Sequence, residues 1–393
     1  MRWLLLLIAT AWAHGGLPAG NDAFLVDGEL VGGGMALGLM LVEDEGPRWV
    51  GSSAVGANVN GYHRRQDGSI LALTFDGLFL SPDGGCTWQP LALGGRQVRR
   101  IRVVGDDPSH LVATLANNDM PGKLVESLDE GATWTDTGLA IDAFFPRQIE
   151  LASSGWFVSG FGDDPVRQVT WRSLDQGQSW EEPPALAGRD VVLVGHSGAR
   201  VFGSEAAGDG SVLLSSVDGF ATAEIEGEIP LGRISDAAEI DGRRLVLVDG
   251  LETWAQEEGE ALVPQEGGPS DCLGPVDGDL LWTCADVRRA LGPFLRSADG
   301  ISFDSPLSFD RICPRVCPEG SAGWRANGLD WSAAQELGLG LACEEDSAGD
   351  DDDSVPSPGD PGCSCEGGAP SATLLLLPLV GRRRRARSRS PDP

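Results

Sequence analysis

Three stretches of this chain align without gaps: Ser81-Pro82-Asp83-Gly84-Gly85-Cys86-Thr87-Trp88, Ser127-Leu128-Asp129-Glu130-Gly131-Ala132-Thr133-Trp134 and Ser173-Leu174-Asp175-Gln176-Gly177-Gln178-Ser179-Trp180. All obey S-x-D-x-G-x-[TS]-W, and the acids stand 46 residues apart. A motif that returns at a fixed step of this size means one supersecondary unit repeated, each copy burying its apolar face on the next. Weaker copies extend the series. Asp44-Glu45-Gly46 with Trp49 keeps the acid, glycine and tryptophan, and Ser216-Val217-Asp218-Gly219 keeps the first half. Glu257-Glu258-Gly259 keeps an acid and glycine, and Ser297-Ala298-Asp299-Gly300 ends on Phe303. The acidic positions 44, 83, 129, 175, 218, 257 and 299 are 39 to 46 residues apart, the length of one four-stranded propeller blade.

The flanks read as hairpins. Upstream of the copies lie paired apolar runs: Ile70 to Thr74 with Leu78 to Leu80, Leu111 to Leu115 with Lys123 to Glu126, and Trp156 to Ser159 with Val169 to Arg172. Val201 to Gly203 with Val212 to Leu214, and Leu245 to Val248 with Glu252 to Trp254, continue the pattern. Fifty-five glycines and 25 prolines supply many tight turns, and no segment sustains a helical period. The expectation is an all-β protein, a β-propeller of four-stranded antiparallel blades spanning 23–311, with a cysteine-containing closing or capping segment at 312–343. Seven copies imply seven blades. Six or eight stay open, because the outermost copies keep the fewest residues.

The repeat resembles the Asp box, or BNR repeat, of sialidase-like and sortilin-like propellers. The resemblance implies that the turns lie at the blade periphery, away from the central funnel. Asp44, Asp83, Asp129, Asp175, Asp218 and Asp299, with Trp88, Trp134 and Trp180, are then structural. Short Ser and Asp side chains bond the backbone N–H groups of the turn, glycine takes the left-handed conformation and tryptophan packs under the hairpin.

Catalysis of the sialidase kind needs three arginines on the substrate carboxylate, a tyrosine nucleophile with a glutamate partner and an acid/base aspartate. The single tyrosine, Tyr62, lies early in the chain, whereas the sialidase nucleophile lies late; Pro146-Arg147 reverses the expected Arg-Ile-Pro order. No Gly-x-Ser-x-Gly elbow occurs, Gly195-His196-Ser197-Gly198 failing at the second glycine. The four histidines have no metal-ligand spacing. The expectation is a non-enzymatic binding or scaffold module for a glycan, peptide or envelope protein, without catalytic, cofactor or metal residues; a propeller glycosidase is the alternative.

Eight cysteines in an exported chain imply oxidation. Cys272 and Cys284 flank the turn-rich Gly274-Pro275-Val276-Asp277-Gly278 and are expected to pair across a hairpin. The partners of Cys86, Cys313, Cys317 and Cys343 stay open.

Both ends read as processing signals. Residues 1–13 carry Arg2, the apolar run Trp3 to Ile8 and the exit Ala11-Trp12-Ala13 of a secretory signal peptide. Residues 344–361, with Asp350 to Asp353, read as an acidic disordered linker. In 362–393, Gly362-Cys363-Ser364-Cys365 precedes nine residues, Ala372 to Val380, and six arginines from Arg382 to Arg389. This order resembles the C-terminal sorting tails of myxobacteria and related deltaproteobacteria. That resemblance implies transient membrane association, processing near Cys363 or Cys365 by export machinery, and a final place at the cell surface or outer membrane of a Gram-negative bacterium, with secretion as the alternative. The formal net charge of -30 argues against nucleic acid as a partner, because such binding rests on basic contacts and released counterions.

Overall fold

The computed structural model describes residues 22–26, 29–34, 38–43, 46–116, 121–142, 144–163, 166–266, 272–277, 280–284, 294–305 and 311–336. The signal segment, Asp44, the acidic linker and the tail with Cys363 and Cys365 lie outside the described residues.

Seven antiparallel sheets follow one another along the chain as blades. Blade one holds β1 (Asp22–Val26), β2 (Glu29–Gly34), β3 (Gly38–Glu43) and β4 (Gly46–Val50). Blade two holds β5 (Val59–Arg64), β6 (Ile70–Thr74), β7 (Gly77–Ser81) and β8 (Gln89–Ala92). Blade three holds β9 (Gln97–Val104), β10 (Asp107–Ala116), β11 (Gly122–Ser127) and β12 (Thr135–Ile141), and blade four β13 (Phe144–Ala152), β14 (Gly155–Asp163) and β15 (Val166–Ser173). Blade five holds β16 (Val191–Ser197), β17 (Arg200–Ala207), β18 (Gly210–Ser216) and β19 (Glu224–Ile229). Blade six holds β20 (Ile234–Ile240), β21 (Arg243–Val248), β22 (Glu252–Gln256) and β23 (Val263–Gln265), and blade seven β24 (Cys272–Asp277), β25 (Leu280–Cys284) and β26 (Phe294–Ser297). In blades four and seven single bridges, Arg172 to Glu181 and Arg296 to Asp304, hold the chain in the place of the fourth strand.

The first strand of each blade touches the first strands of both neighbours, from β1 through β5, β9, β13, β16, β20 and β24 back to β1. These strands therefore ring a central axis, and the molecule is a seven-bladed β-propeller. Its core sits between blades rather than within one. Leu71 of blade two packs with Ile101 and Leu111 of blade three, and Val112 of blade three with Ile149 and Val158 of blade four. Val194 and Phe202 of blade five pack with Val246 of blade six. Sheets packed face to face in this way must keep both faces apolar, which is why β6 and β10 carry unbroken buried runs instead of alternation.

After blade seven, β27 (Cys313–Pro314) adds to the outer edge of blade one, parallel to β4. A 15-residue helix, α1 (Ala322–Glu336), follows, although the sequence shows no helical period there. Its interior contains Gly323, Asn327, Gly328 and Asp330, all weak helix formers, so docking rather than propensity forms it. The Asn327 side chain accepts from the Gly51 N–H at 3.2 Å and donates to the Arg315 carbonyl at 2.9 Å. Asp330 accepts from the Ser53 hydroxyl at 2.7 Å, and Trp331 lies 5.3 Å from Trp49. A disulfide from Cys86 to Cys317 ties this segment to blade two. Cys272 and Cys284 are bonded across β24 and β25, where they stand directly opposite each other.

Candidate functional site

The repeated turns join the third and fourth strands of their blades. In the three full copies the serine hydroxyl donates to the aspartate and accepts from the N–H of the fifth residue: Ser81 from Gly85 at 2.7 Å, Ser127 from Gly131 at 2.8 Å and Ser173 from Gly177 at 2.7 Å. The aspartate then accepts twice from the residue at position seven, as Asp129 does from the Thr133 N–H at 2.7 Å and hydroxyl at 2.6 Å. The tryptophan indole N–H donates to the fifth residue's carbonyl at 2.9 Å from Trp88, 2.9 Å from Trp134 and 3.0 Å from Trp180. Each of these rings packs on the apolar cluster between its own blade and the one before.

Hydrogen bonds from Ser179 and Ser173 hold the Asp175 carboxyl down to about 2, and bonds from Thr222 and Ser216 do the same for Asp218. Asp129 and Asp299 are lowered for the same reason. Acceptors so fully engaged are poor proton donors and poor nucleophiles. The fourth copy is more complete than its sequence indicates, since Asp218 holds Thr222 as Asp129 holds Thr133. At its fifth position Phe220 adopts φ 57° where the others use glycine, and its ring packs edge-on against Phe157.

The axis carries different chemistry. Six inner strands each hold one extra residue against their partner strand near their start: Asn60 in β5, Arg99 in β9, Arg147 in β13, Val194 in β16, Ser235 in β20 and one at Gly274–Pro275 in β24. A bulge at the same level of successive strands re-aims side chains around a rim, Val194 excepted, which stays buried against blade six. The register places this rim opposite the repeated turns: Arg99 lies beside Leu115, which pairs with Lys123, whereas Ser127 pairs with Leu111 at the level of Val103.

Further along the same strands, charged groups meet across the axis. Asp236 of blade six lies within electrostatic reach of Arg100 of blade three and Glu150 of blade four. Blades three and six are separated by two blades one way round the ring and three the other, so only the axial channel brings Arg100 and Asp236 together. Burial pushes the Asp236 carboxyl up to about 7; the Leu273 N–H, donated at 2.9 Å, opposes this, and the Glu150 charge adds to it. Glu150 is driven the other way. Burial alone would raise it, but the His196 ring nitrogen at 2.7 Å and the charges of Arg102 and Arg100 hold it below the usual carboxylate range. Two carboxyls in one channel thus keep different protonation states near neutral pH.

Tyr62 is not part of this arrangement. It is buried between blades one and two beside Trp88, and burial with the Asp330 charge raises its phenol far above the ordinary value. Among the described residues no group of three His, Cys, Asp or Glu is placed to hold a metal ion. The axial residues escape sequence reading because each comes from a different blade. The one signal available was Arg99-Arg100-Ile101-Arg102, three cations in one strand of a strongly acidic chain.

The sequence matches no protein-family model and no curated protein. Among solved structures the chain is similar to an ancestral GH74 enzyme (13% identity, TM-score 0.46), covering 68% of this chain and 40% of that one. It is also similar to the GH74 xyloglucanase from Xanthomonas campestris (13% identity, TM-score 0.45, 74% and 61% covered). A third similar structure is YCF48 bound to D1 peptide (16% identity, TM-score 0.38, 55% and 68% covered). This chain spans about two fifths of the length of the ancestral GH74 enzyme. Glycosidases and a peptide-bound protein stand side by side in this set, so it chooses neither role for this chain.

Proposed function

We propose that this protein is an exported, surface-displayed binding module whose ligand seat is the axial channel. The observation that carries the reading is the convergence of Arg99, Arg100, Arg102, Arg147, Glu150, His196 and Asp236 from four blades onto one axis, in a molecule whose repeated turns are saturated with their own hydrogen bonds. Gathering this many ionisable groups at one partly desolvated axis is costly for stability, and such clusters are kept where they meet a ligand. The turns are those of an Asp-box, BNR-type repeat, sialidase-like and sortilin-like in sequence, and serve the fold. The partner is a glycan, a peptide or an envelope protein. Export through the signal segment and sorting through the Cys363/Cys365 tail place the propeller at the cell surface or outer membrane, the acidic linker holding it clear of the membrane by charge repulsion.

The test is a screen of the purified chain on glycan and peptide arrays, repeated with Arg100→Ala and Asp236→Asn. Saturable binding that falls in both variants is the expected result. Binding unaffected by either would move the ligand seat off the axis. A second reading, glycoside hydrolysis, draws on the unequal protonation of Asp236 and Glu150, the pattern of an acid beside an ionised carboxylate. Fluorogenic sialosides and neutral glycosides decide it: turnover abolished by Asp236→Asn would replace binding with catalysis.

A further inference from the structure

The rim of the axial channel holds two guanidinium groups that form no ion pair with a carboxylate among the described residues. Arg99 and Arg147 occupy the bulge positions of the adjacent strands β9 and β13. Each lies over one ring of a cross-strand aromatic pair, Arg99 at 5.6 Å from the centre of Phe145 and Arg147 at 5.2 Å from the centre of Phe161, with Phe145 and Phe161 directly opposite each other. Stacking occupies the guanidinium faces, and apart from one Arg99 N–H that goes to Asn60 it leaves their N–H edges for a ligand. Asn60, the bulge residue of β5, completes the group: its amide donates to the Val98 carbonyl at 2.7 Å, and its oxygen accepts from Arg99 at 3.4 Å. Arg99 therefore touches both neighbouring blades, which fixes its head at the axial edge of its own.

Neither Arg99 nor Arg147 forms an ion pair among the described residues, although acids outnumber Lys and Arg by 59 to 29 in this chain. Arg189, Arg200 and Arg244 all have carboxylate partners. Burial and the neighbouring charges of Arg147 and Arg100 hold the Arg99 guanidinium below its ordinary range, the mark of like charges kept together. An anion placed between them would recover that cost.

We propose that Arg99 and Arg147, with Asn60 holding Arg99 in place, form a seat for a single carboxylate group at the mouth of the axial channel. The proposal rests on the axial-binding reading and names the group that is bound. A planar two-oxygen acceptor matches the guanidinium fork. A polyanion fits poorly, because the net charge is -30 and Glu150 and Asp236 stand further along the channel. The ligand carries one negative group at the rim and an uncharged remainder.

The experiment measures binding of the full chain by calorimetry to two acid and neutral pairs: galacturonic acid against galactose, and N-acetyl-dialanine against its C-terminal amide. At least one acid is expected to saturate with a Kd on the order of 1 mM, its neutral counterpart binding at least about tenfold more weakly. The acid that binds tighter identifies the source of the carboxylate, a uronate or a peptide. Arg147→Gln, at an exposed position, and Arg99→Gln should each weaken that binding at least about tenfold while melting stays cooperative; Arg147→Lys should keep part of it. Equal affinity for acid and neutral forms, no saturation up to about 20 mM, or parental affinity in Arg147→Gln would overturn the seat. Tighter binding of inorganic sulfate than of both acids would overturn its carboxylate character. If an array partner is lost in Arg100→Ala but kept in the Arg99→Gln, Arg147→Gln double variant, the axial-binding reading stands and the seat alone falls.

Discussion

Ser127 and Asp129 divide the turn between them, and the division makes their substitutions unequal. The Ser127 hydroxyl is buried and is the acceptor for the Gly131 N–H, which sits against Leu71 of the preceding blade. Ser127→Ala leaves that N–H buried without a partner, and denaturant unfolding should show a loss of about 1–3 kcal/mol. Asp129 faces water, where Thr133 finds other acceptors, so Asp129→Asn should cost visibly less in the same assay. Asp236 answers to pH instead. Its folded carboxyl titrates at about 7 against about 3.9 in an unfolded chain, so the folded state keeps a proton that the unfolded state has already lost. The stability this gives is present in full below the unfolded value and is lost as pH rises through 7. Asp236→Asn should therefore match the parent near pH 4 and exceed it at pH 8 by roughly 2–4 kcal/mol. Equal stability of the two at both pH values would mean that the carboxyl is well hydrated in the channel.

At the scale of elements, what the sequence revealed depends on how local the determining contacts are. The second and third strands of blades two to six were legible from short apolar runs that end at a turn. The Cys272 and Cys284 pairing was legible because 12 residues and one hairpin separate them. The bulges were not, because an extra residue is defined only against a partner strand, and Arg99 and Arg147 read alone are ordinary strand arginines. Nor was α1, whose residues favour a helix only once Asn327, Asp330 and Trp331 meet blade one. The Cys86 to Cys317 bond escaped for the same reason, its cysteines lying 231 residues apart. That span makes the bond consequential: closing so long a loop removes denatured-state entropy worth up to about 5 kcal/mol. Paired Cys86→Ser and Cys317→Ser substitutions should lower the unfolding midpoint far more than paired Cys272→Ser and Cys284→Ser, whose loop is short. The reverse order in non-reducing denaturant titrations would show that the outer edge of blade one holds without its tie.

The whole molecule sets two electrostatic demands against each other. The whole chain carries a formal charge of -30, and self-repulsion among the surface carboxylates of the blades works against closure of their ring. Raising salt from about 0.01 M to about 1 M shortens the screening length from roughly 30 Å to roughly 3 Å, which removes most of the repulsion between exposed groups. The short internal ion pairs are screened far less, among them Arg244 with Glu226 at 2.7 Å. The melting temperature should therefore rise with salt. Carboxylate binding at Arg99 and Arg147 should move the opposite way, because the rim is open to solvent and Arg147 is exposed, so added anions both screen the seat and compete for it. Melting and calorimetry across one salt series test both together. A stability that falls with salt would place the weight of the charge balance on attractive pairs rather than on repulsion. Affinity that holds constant while stability rises would mean the ligand is gripped by uncharged contacts, and that the arginines at the rim serve the bulges that carry them.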